Sequence, residues 1–483
     1  MFCRCKNKYK KSGRQRSTAA LLIISALFVG AAGRTAAQEG GQTEAAPPKR
    51  IITLEEAVRL GIENNLSLES SRISMQTKKR TSDLAWNQFL PAVGFSGSVS
   101  SNFIPAESST LSWSTMPPSQ IDIKTNSLAL GVQGQIAWQG LNIALFEGLR
   151  KLKLDYQSGL VTYDKARIQL ERDIRKAYYN ILLVQEQIEL LRQSYNNAQR
   201  QEDSARANYR GGLAPELYVM QAQVQRENLR PQMDQAETGL RLSKASFAMN
   251  LGIPFEDDFD LEPVNLSTEF IPPDVQEMIR QAANNKPDIT ELKSQLIAMQ
   301  SARTALKFQL WTPSINLSFG LNTGSTFTKV QAGGAATESW SDPTLRDSFS
   351  LQLMWTLNNV LPFTTQGTNL VDLDANIRTM NIGLAQAVRG SEIEIYNTMA
   401  SLEQARVSAE AGRYTVELAD RSYRLTTEAY QAGLQTLLEV QNAELQLRQA
   451  RIGLLQQQVN FLSGLIDLEY AIGAPFGTLL EKR

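Results

Sequence analysis

The feature that most constrains this chain is a long internal duplication. Tyr209-Arg-Gly-Gly212-Leu213 is answered 221 residues later by Tyr430-Gln-Ala-Gly433-Leu434. Ala222 and Ala443, Gly252 and Gly473, and Pro254 and Pro475 keep the same offset. Earlier parts correspond too, Glu63-Asn64-Asn65 with Ala283-Asn284-Asn285 and Phe89-Leu90-Pro91 with Trp311-Thr312-Pro313, once a short gap is allowed. Such a chain folds as two similar halves, here 51–250 and 275–475, with a linker at 251–274 and a tail at 476–483. The linker carries Glu256, Asp257, Asp258 and Asp260 among four prolines, a composition expected to lie solvated outside the packed halves.

The N-terminus speaks to compartment. Residues 1–16 hold seven Lys or Arg and no acid, and an apolar run from Ala19 to Ala32 follows. A basic stretch, a short apolar stretch and the small residues Thr35-Ala36-Ala37 make 1–37 a signal peptide, leaving 38–50 as a flexible lead-in. The run is too short for a spanning helix, which needs about 20 residues. Cys3 and Cys5 precede it, so the mature chain holds no cysteine. Eight of the 49 basic residues fall within 1–37, leaving 41 against 49 acidic ones. An acidic surface argues against a nucleic-acid partner.

Four segments alternate with period two, the mark of strands with one apolar and one polar face. They are expected at about 91–104, 126–139, 313–323 and 346–358, as in Leu128, Leu130, Val132, Ile136, Trp138 and in Phe349, Leu351, Leu353, Trp355. The stretches between them, about 104–125 and 322–346, are polar and read as long loops. Each run approaches the 9–11 residues of a tilted membrane strand. All six tryptophans lie in or beside these segments. Trp86, Trp138, Trp311 and Trp355 would form an aromatic girdle at one lipid boundary; the alternative is burial in a soluble sheet. Four strands cannot close a transmembrane barrel, which needs about eight, so the chain must oligomerise. Three copies give twelve strands and a duct, whereas an eight-stranded barrel is filled by side chains.

The remainder reads as long helices, at 53–89, 141–210, 215–250, 275–310, 366–432 and 435–472. Helices beyond 25 residues without caps point to coiled coils. Val440, Ala443, Leu447, Ala450, Leu454, Gln457, Phe461, Gly464 and Leu468 step by threes and fours along the last of them, as a packing seam does. Each half supplies one continuous strut and one made of two pieces. The fold class is therefore mainly α with a β-barrel part, its long antiparallel coiled-coil helices matched in length as in the wall of a cylinder.

These residues together carry a resemblance. Thr53-Leu54-Glu-Glu-Ala57-Val58 with Glu63-Asn64-Asn65, the Tyr-x-x-Gly-Leu turns, and Val440-Gln441-Asn442-Ala443, in this order and in duplicate, resemble the TolC family of outer-membrane efflux channels over about 51–475. The resemblance implies a homotrimer in the outer membrane with a helical tunnel across the periplasm. It implies export of drugs, toxins or proteins alongside a periplasmic adaptor protein and an inner-membrane transporter of the RND or ABC class. It also implies that the turns at Gly212, Leu213, Gly433 and Leu434 dock the adaptor. Acidic rings close the tip in similar proteins. Matched by position, those sites fall on Glu439 and Asn442, the second a departure from the acidic pattern. The corner Leu361-Pro362-Phe363 departs as well, being longer than Trp138-Gln-Gly140-Leu in the first half.

Catalysis finds no footing. The chain has no histidine, the commonest acid–base group, and neither a phosphate-binding Gly-x-x-x-x-Gly-Lys nor a Gly-x-Ser-x-Gly motif. No enzyme, metal or cofactor is expected. The competing reading is a non-channel periplasmic or surface coiled-coil protein, structural or adhesive, which would have no use for matched strand pairs with a tryptophan girdle.

Overall fold

The computed structural model describes residues 50–110, 120–254, 259–264, 274–332, 335–356, 361 and 363–479. The expected signal peptide and lead-in up to Lys49, Trp113 and the acidic residues Glu256, Asp257 and Asp258 lie outside the described residues.

Two helical hairpins dominate. In the first half α1 (Leu54–Asn64) and α2 (Leu66–Asp83) precede α3 (Ala144–Arg210), which turns back into α4 (Glu216–Leu251). In the second half α5 (Val275–Asn285), α6 (Pro287–Trp311), α7 (Thr365–Gln431) and α8 (Leu437–Ile472) repeat the order. Both α3 and α7 have 67 residues, and both α4 and α8 have 36. At 1.5 Å per residue the long pair run about 100 Å.

The segments 53–89 and 275–310, each expected as one helix, are broken. Asn65 takes an extended backbone, and its side-chain oxygen accepts from the amides of Ser67 and Leu68, closing α1 and capping α2 in one residue. In the second half Lys286 is extended before Pro287, as the residue ahead of a proline prefers. Pro231, by contrast, sits on the exposed side of α4 without ending it. Thr53 and Asp274 both cap the following helix with a side-chain oxygen, and they too are 221 residues apart. The structural register is thus Asn64 with Asn285, without the gap that the sequence comparison placed there.

The breaks seat the short helices end to end. Asn65 Nδ2 donates to the Asn250 carbonyl at 2.9 Å, so the C-terminal end of α4 meets the start of α2. Gly252 ends α4 and Gly473 ends α8 in the left-handed region, φ 68° and 70°. A Cβ on Gly252 would lie 2.2 Å from the Asn64 carbonyl oxygen, and one on Gly473 2.4 Å from that of Asn285. Here both conformation and space require glycine.

The main core surrounds these junctions. Ile174, Tyr178, Ile181, Phe247, Leu251, Met278, Ile395, Phe461 and Leu468 are buried in it. A short parallel ladder closes over them, β1 (Arg50–Ile52) pairing with β4 (Phe259–Leu261). The ladder corrects the expectation of a solvated linker, because Phe259 and Leu261 are core residues. The Tyr178 hydroxyl lies 3.1 Å from the Ile52 carbonyl and 2.9 Å from that of Glu262, tying both strands to α3. Burial pushes this phenol up to about 12. The seam read along α8 does face α7: Leu402 lies against Gly464 and Leu454 against Gly412.

At the far end of the helices lies a sheet. Strands β2 (Ala92–Thr110), β3 (Gln120–Leu141) and β5 (Ser314–Ala332) pair in sequence, and β5 then pairs with both β6 (Ala335–Trp340) and β7 (Thr344–Met354). β6 and β7 act as one strand interrupted at Ser341-Asp342-Pro343. There the Ser341 hydroxyl accepts from the Thr326 amide at 2.8 Å, while the Ser341 amide donates to the Thr326 carbonyl at 2.9 Å. The strands reach well into the segments expected as loops. Beyond the lipid both faces of a strand can be polar, so alternation stops while backbone pairing continues.

One face of this sheet is apolar and exposed: Phe95, Val132, Phe319, Phe349 and Leu353 lie at alternate positions. The edges, β2 on one side and β6 with β7 on the other, have no second partner among the described residues. Among those residues no helix is long and apolar enough to cross a membrane.

Candidate functional site

The tips of the two hairpins are built alike. At the end of α3 the Leu213 amide donates to the Asn208 carbonyl at 2.8 Å and the Gly212 amide to that of Tyr209 at 3.0 Å. At the end of α7 the Leu434 amide reaches Ala429 at 2.8 Å and the Gly433 amide reaches Tyr430 at 2.9 Å. Both glycines are left-handed, φ 71° and 75°. This six-to-one and five-to-two pattern satisfies the last helical carbonyls. The leucine after such a glycine often folds back on its helix. Here Leu213 and Leu434 point into solvent, 83% and 78% exposed.

Between the tips runs a groove of about 900 Å3, lined by Asn208, Leu213, Tyr218, Tyr423, Thr427, Tyr430, Gly433 and Leu437 among others. Its floor is a small cluster of Ala205, Ala222 and Leu437, with Val219 and Tyr430 against it. The duplicated alanine at 222 is therefore a packing residue where the two hairpins meet.

Thr436 caps α8 through the Glu439 amide. Glu439 and Asn442 both lie exposed just beyond that cap, three residues apart on the helix. They flank the seam residues Val440 and Ala443, which are buried.

One buried polar feature escaped the sequence reading. Glu444 lies between α8 and α3, where its carboxylate accepts from Asn197 Nδ2 at 3.1 Å and Gln201 Nε2 at 3.3 Å. Burial pushes its pKa up, against the lowering effect of those hydrogen bonds and of Arg448 and Arg200. Arg448 beside it is pushed down by burial, though Glu444 draws it up. Together with Asp420, Tyr423 and Arg451 they line a recess of about 150 Å3. Arg451 Nη2 donates to Asp420 Oδ1 at 3.1 Å. The sequence did hold a signal, since Gln441, Glu444, Arg448 and Arg451 step by threes and fours one residue behind the apolar seam.

At the other end, the four tryptophans cluster where helices meet strands. Trp86 lies in the 3-10 turn Ala85–Phe89, Trp311 ends α6, Trp138 is late in β3 and Trp355 follows β7. Trp86, Trp311 and Trp355 are more than half exposed. The first-half corner is compact: Gly140, φ 67°, donates its amide to Asn316 Oδ1 at 2.7 Å. In the second half Leu361 and Phe363 protrude, and Thr364 caps α7. Among the described residues no group of His, Cys, Asp or Glu could hold a metal.

No curated protein sequence matches the chain. Solved structures do. CusC, described as forming a transmembrane channel, superposes with a TM-score of 0.65 at 17% identity, covering 87% of this chain and 92% of that one. The CmeC outer membrane channel of Campylobacter jejuni gives 0.63 at 16% identity, covering 87% and 85%. The MtrE outer membrane channel of Neisseria gonorrhoeae, in its open state, gives 0.60 at 19%, covering 87% and 89%. The sequence profile described as "Outer membrane efflux protein" matches residues 58–252 and 278–474, one span per repeat. With both halves matched and the fold shared by outer-membrane channels rather than enzymes, the chain belongs to the outer membrane efflux protein family.

Proposed function

We propose that three copies of this chain close a twelve-stranded barrel in the outer membrane above a helical tunnel in the periplasm. In this reading the tunnel is a passive conduit for drugs, toxins or proteins. The observation that carries it is the sheet, with one apolar face and two edges that are unpaired among the described residues. A free strand edge is a row of unpaired donors and acceptors that cannot persist in hydrocarbon, and pairing β2 of one copy with β7 of the next removes it.

Energy comes from an inner-membrane transporter of the RND or ABC class, reached through a periplasmic adaptor. The exposed Leu213 and Leu434, each displayed on a rigid glycine cap, suit an adaptor's apolar helical tip. Trp86, Trp138, Trp311 and Trp355 mark the inner lipid boundary. Glu439, threefold repeated, places carboxylates at the tip constriction, with Asn442 as a neutral second ring. The coiled-coil structural or adhesive alternative loses its support in the family membership.

The test is the molar mass of the detergent-extracted mature protein together with its conductance in planar bilayers. A trimer with single-channel currents is expected. A monomer or dimer without current refutes the closed barrel.

A further inference from the structure

The polar face of the sheet is nearly free of charge. Residues directly opposite in a ladder share a face, so the register assigns every described position. The face opposite the apolar one carries alternate residues of β2 from Ala92 to Asn102, of β3 from Ser127 to Ala137, of β5 from Ser314 to Val330 and of β7 from Thr344 to Met354. Contacts agree with this division. A Cβ on Gly320 would meet the Ser348 hydroxyl at 2.8 Å, and one on Gly134, on the other face, would meet the Phe95 ring. The polar face is made of Ser, Thr, Asn, Gln, Gly and Ala apart from Val330 and Met354, with one charged side chain among the described residues, Arg346.

Arg346 stands opposite Asn322 on β5 and is exposed. No ion pair to it is found among the described residues. Asp347 projects to the other face, and Lys329 and Glu338, also on that face, pair with each other at 2.6 Å. Arg346 lines a recess of about 580 Å3, in which Asp342, in the break between β6 and β7, is the one acid.

We propose that Arg346 is the selectivity residue of the barrel, favouring small anionic solutes over cationic ones at its level. The inference rests on the trimeric channel reading, in which the polar face lines the lumen and Arg346 recurs three times around it. A guanidinium stays charged at any physiological pH. Apart from Asp342, the described wall of hydroxyls and amides supplies no counter-charge, so the ring's field reaches the solution in the pore, as charged rings do in selective channels. The sign is opposite to that of the Glu439 carboxylates at the tip, so the two ends of the conduit sort ions differently.

A whole-channel current mixes both ends, so the test must read the barrel alone. Cys3 and Cys5, the only cysteines of the sequence, fall in the leader, and Ser348→Cys places one thiol two residues from Arg346 on the same face. The measurement is the ratio of labelling rates by anionic and cationic methanethiosulfonates of similar size. It is made on the trimer in low salt, where the Debye length is about 30 Å. Arg346→Gln should lower the anionic-to-cationic ratio at least about fivefold, Arg346→Lys should preserve it, and Asp342→Asn should raise it. An unchanged ratio in trimeric, conducting Arg346→Gln protein overturns the proposal while leaving the channel standing. A Ser348→Cys thiol that neither reagent reaches also overturns it, by showing that this face holds no water. Absence of trimer and current in the parent protein removes the channel reading and the ring with it.

Discussion

Gly473 illustrates how much a single residue decides here. Alanine at this position would be held at positive φ with its methyl driven into the Asn285 carbonyl, so Gly473→Ala should destabilise the fold by about 1–3 kcal/mol. Gly453→Ala, in α8 with open space around it, should stabilise by up to about 1 kcal/mol. Thermal unfolding of the two variants compares them directly. Glu444 gives a pH signature. Burial raises its pKa above the unfolded value, so the native chain holds that proton more tightly. Stability from this site is therefore full at low pH and declines as pH rises from the ordinary carboxylate value through the raised one. Glu444→Gln should flatten that decline in unfolding midpoints measured against pH; an identical profile would show that Glu444 ionises without penalty. Glycines at 212, 433, 252 and 473 were legible because duplication singled them out. Glu444 was passed over because a polar stripe beside an apolar seam looks like an ordinary solvated face until the neighbouring helix is in place.

Among the elements, the helices and the membrane-level parts of the strands could be read from periodicity. The strand extensions could not, since polar residues on both faces erase the alternation while the backbone still pairs. The β1–β4 ladder was invisible for another reason: three-residue strands carry no period, and the pairing joins segments about 210 residues apart. Proline gave two different answers, ending α5 at Pro287 and passing unmarked through α4 at Pro231. The tips are the element on which the exporter reading turns. Leu213→Asp combined with Leu434→Asp should leave the trimer and its conductance intact, because both side chains are largely exposed. Cells that depend on this chain for export should lose that export. Retained export would show that docking does not use these leucines.

For the whole molecule, the duplication and the period-two strands pointed to a duct while leaving a non-channel coiled-coil protein open, and the sheet supplies the part that composition cannot. Its two edges, unpaired among the described residues, would make a closed pore a property of several copies. Charge at the tip is then multiplied by the number of copies. Glu439→Ala should change conductance or reduce cation preference in planar bilayers, while Asn442→Ala should change neither strongly; unaltered selectivity in Glu439→Ala would remove it from the constriction.

The end-to-end seating of α4 against α2, and of α8 against α6, has a mechanical meaning. Bending α3 or α7 anywhere along their length would strain a continuous ladder of helical hydrogen bonds. Tilting α4 about Gly252, or α8 about Gly473, strains none, since each helix is already terminated and capped at that point. The same lever arm of 36 residues exists in both halves, and its fulcrum lies in the buried core, well away from the membrane. A displacement of the tip could thus be taken up by the short helices while the long ones, continuous with the sheet, stay as they are.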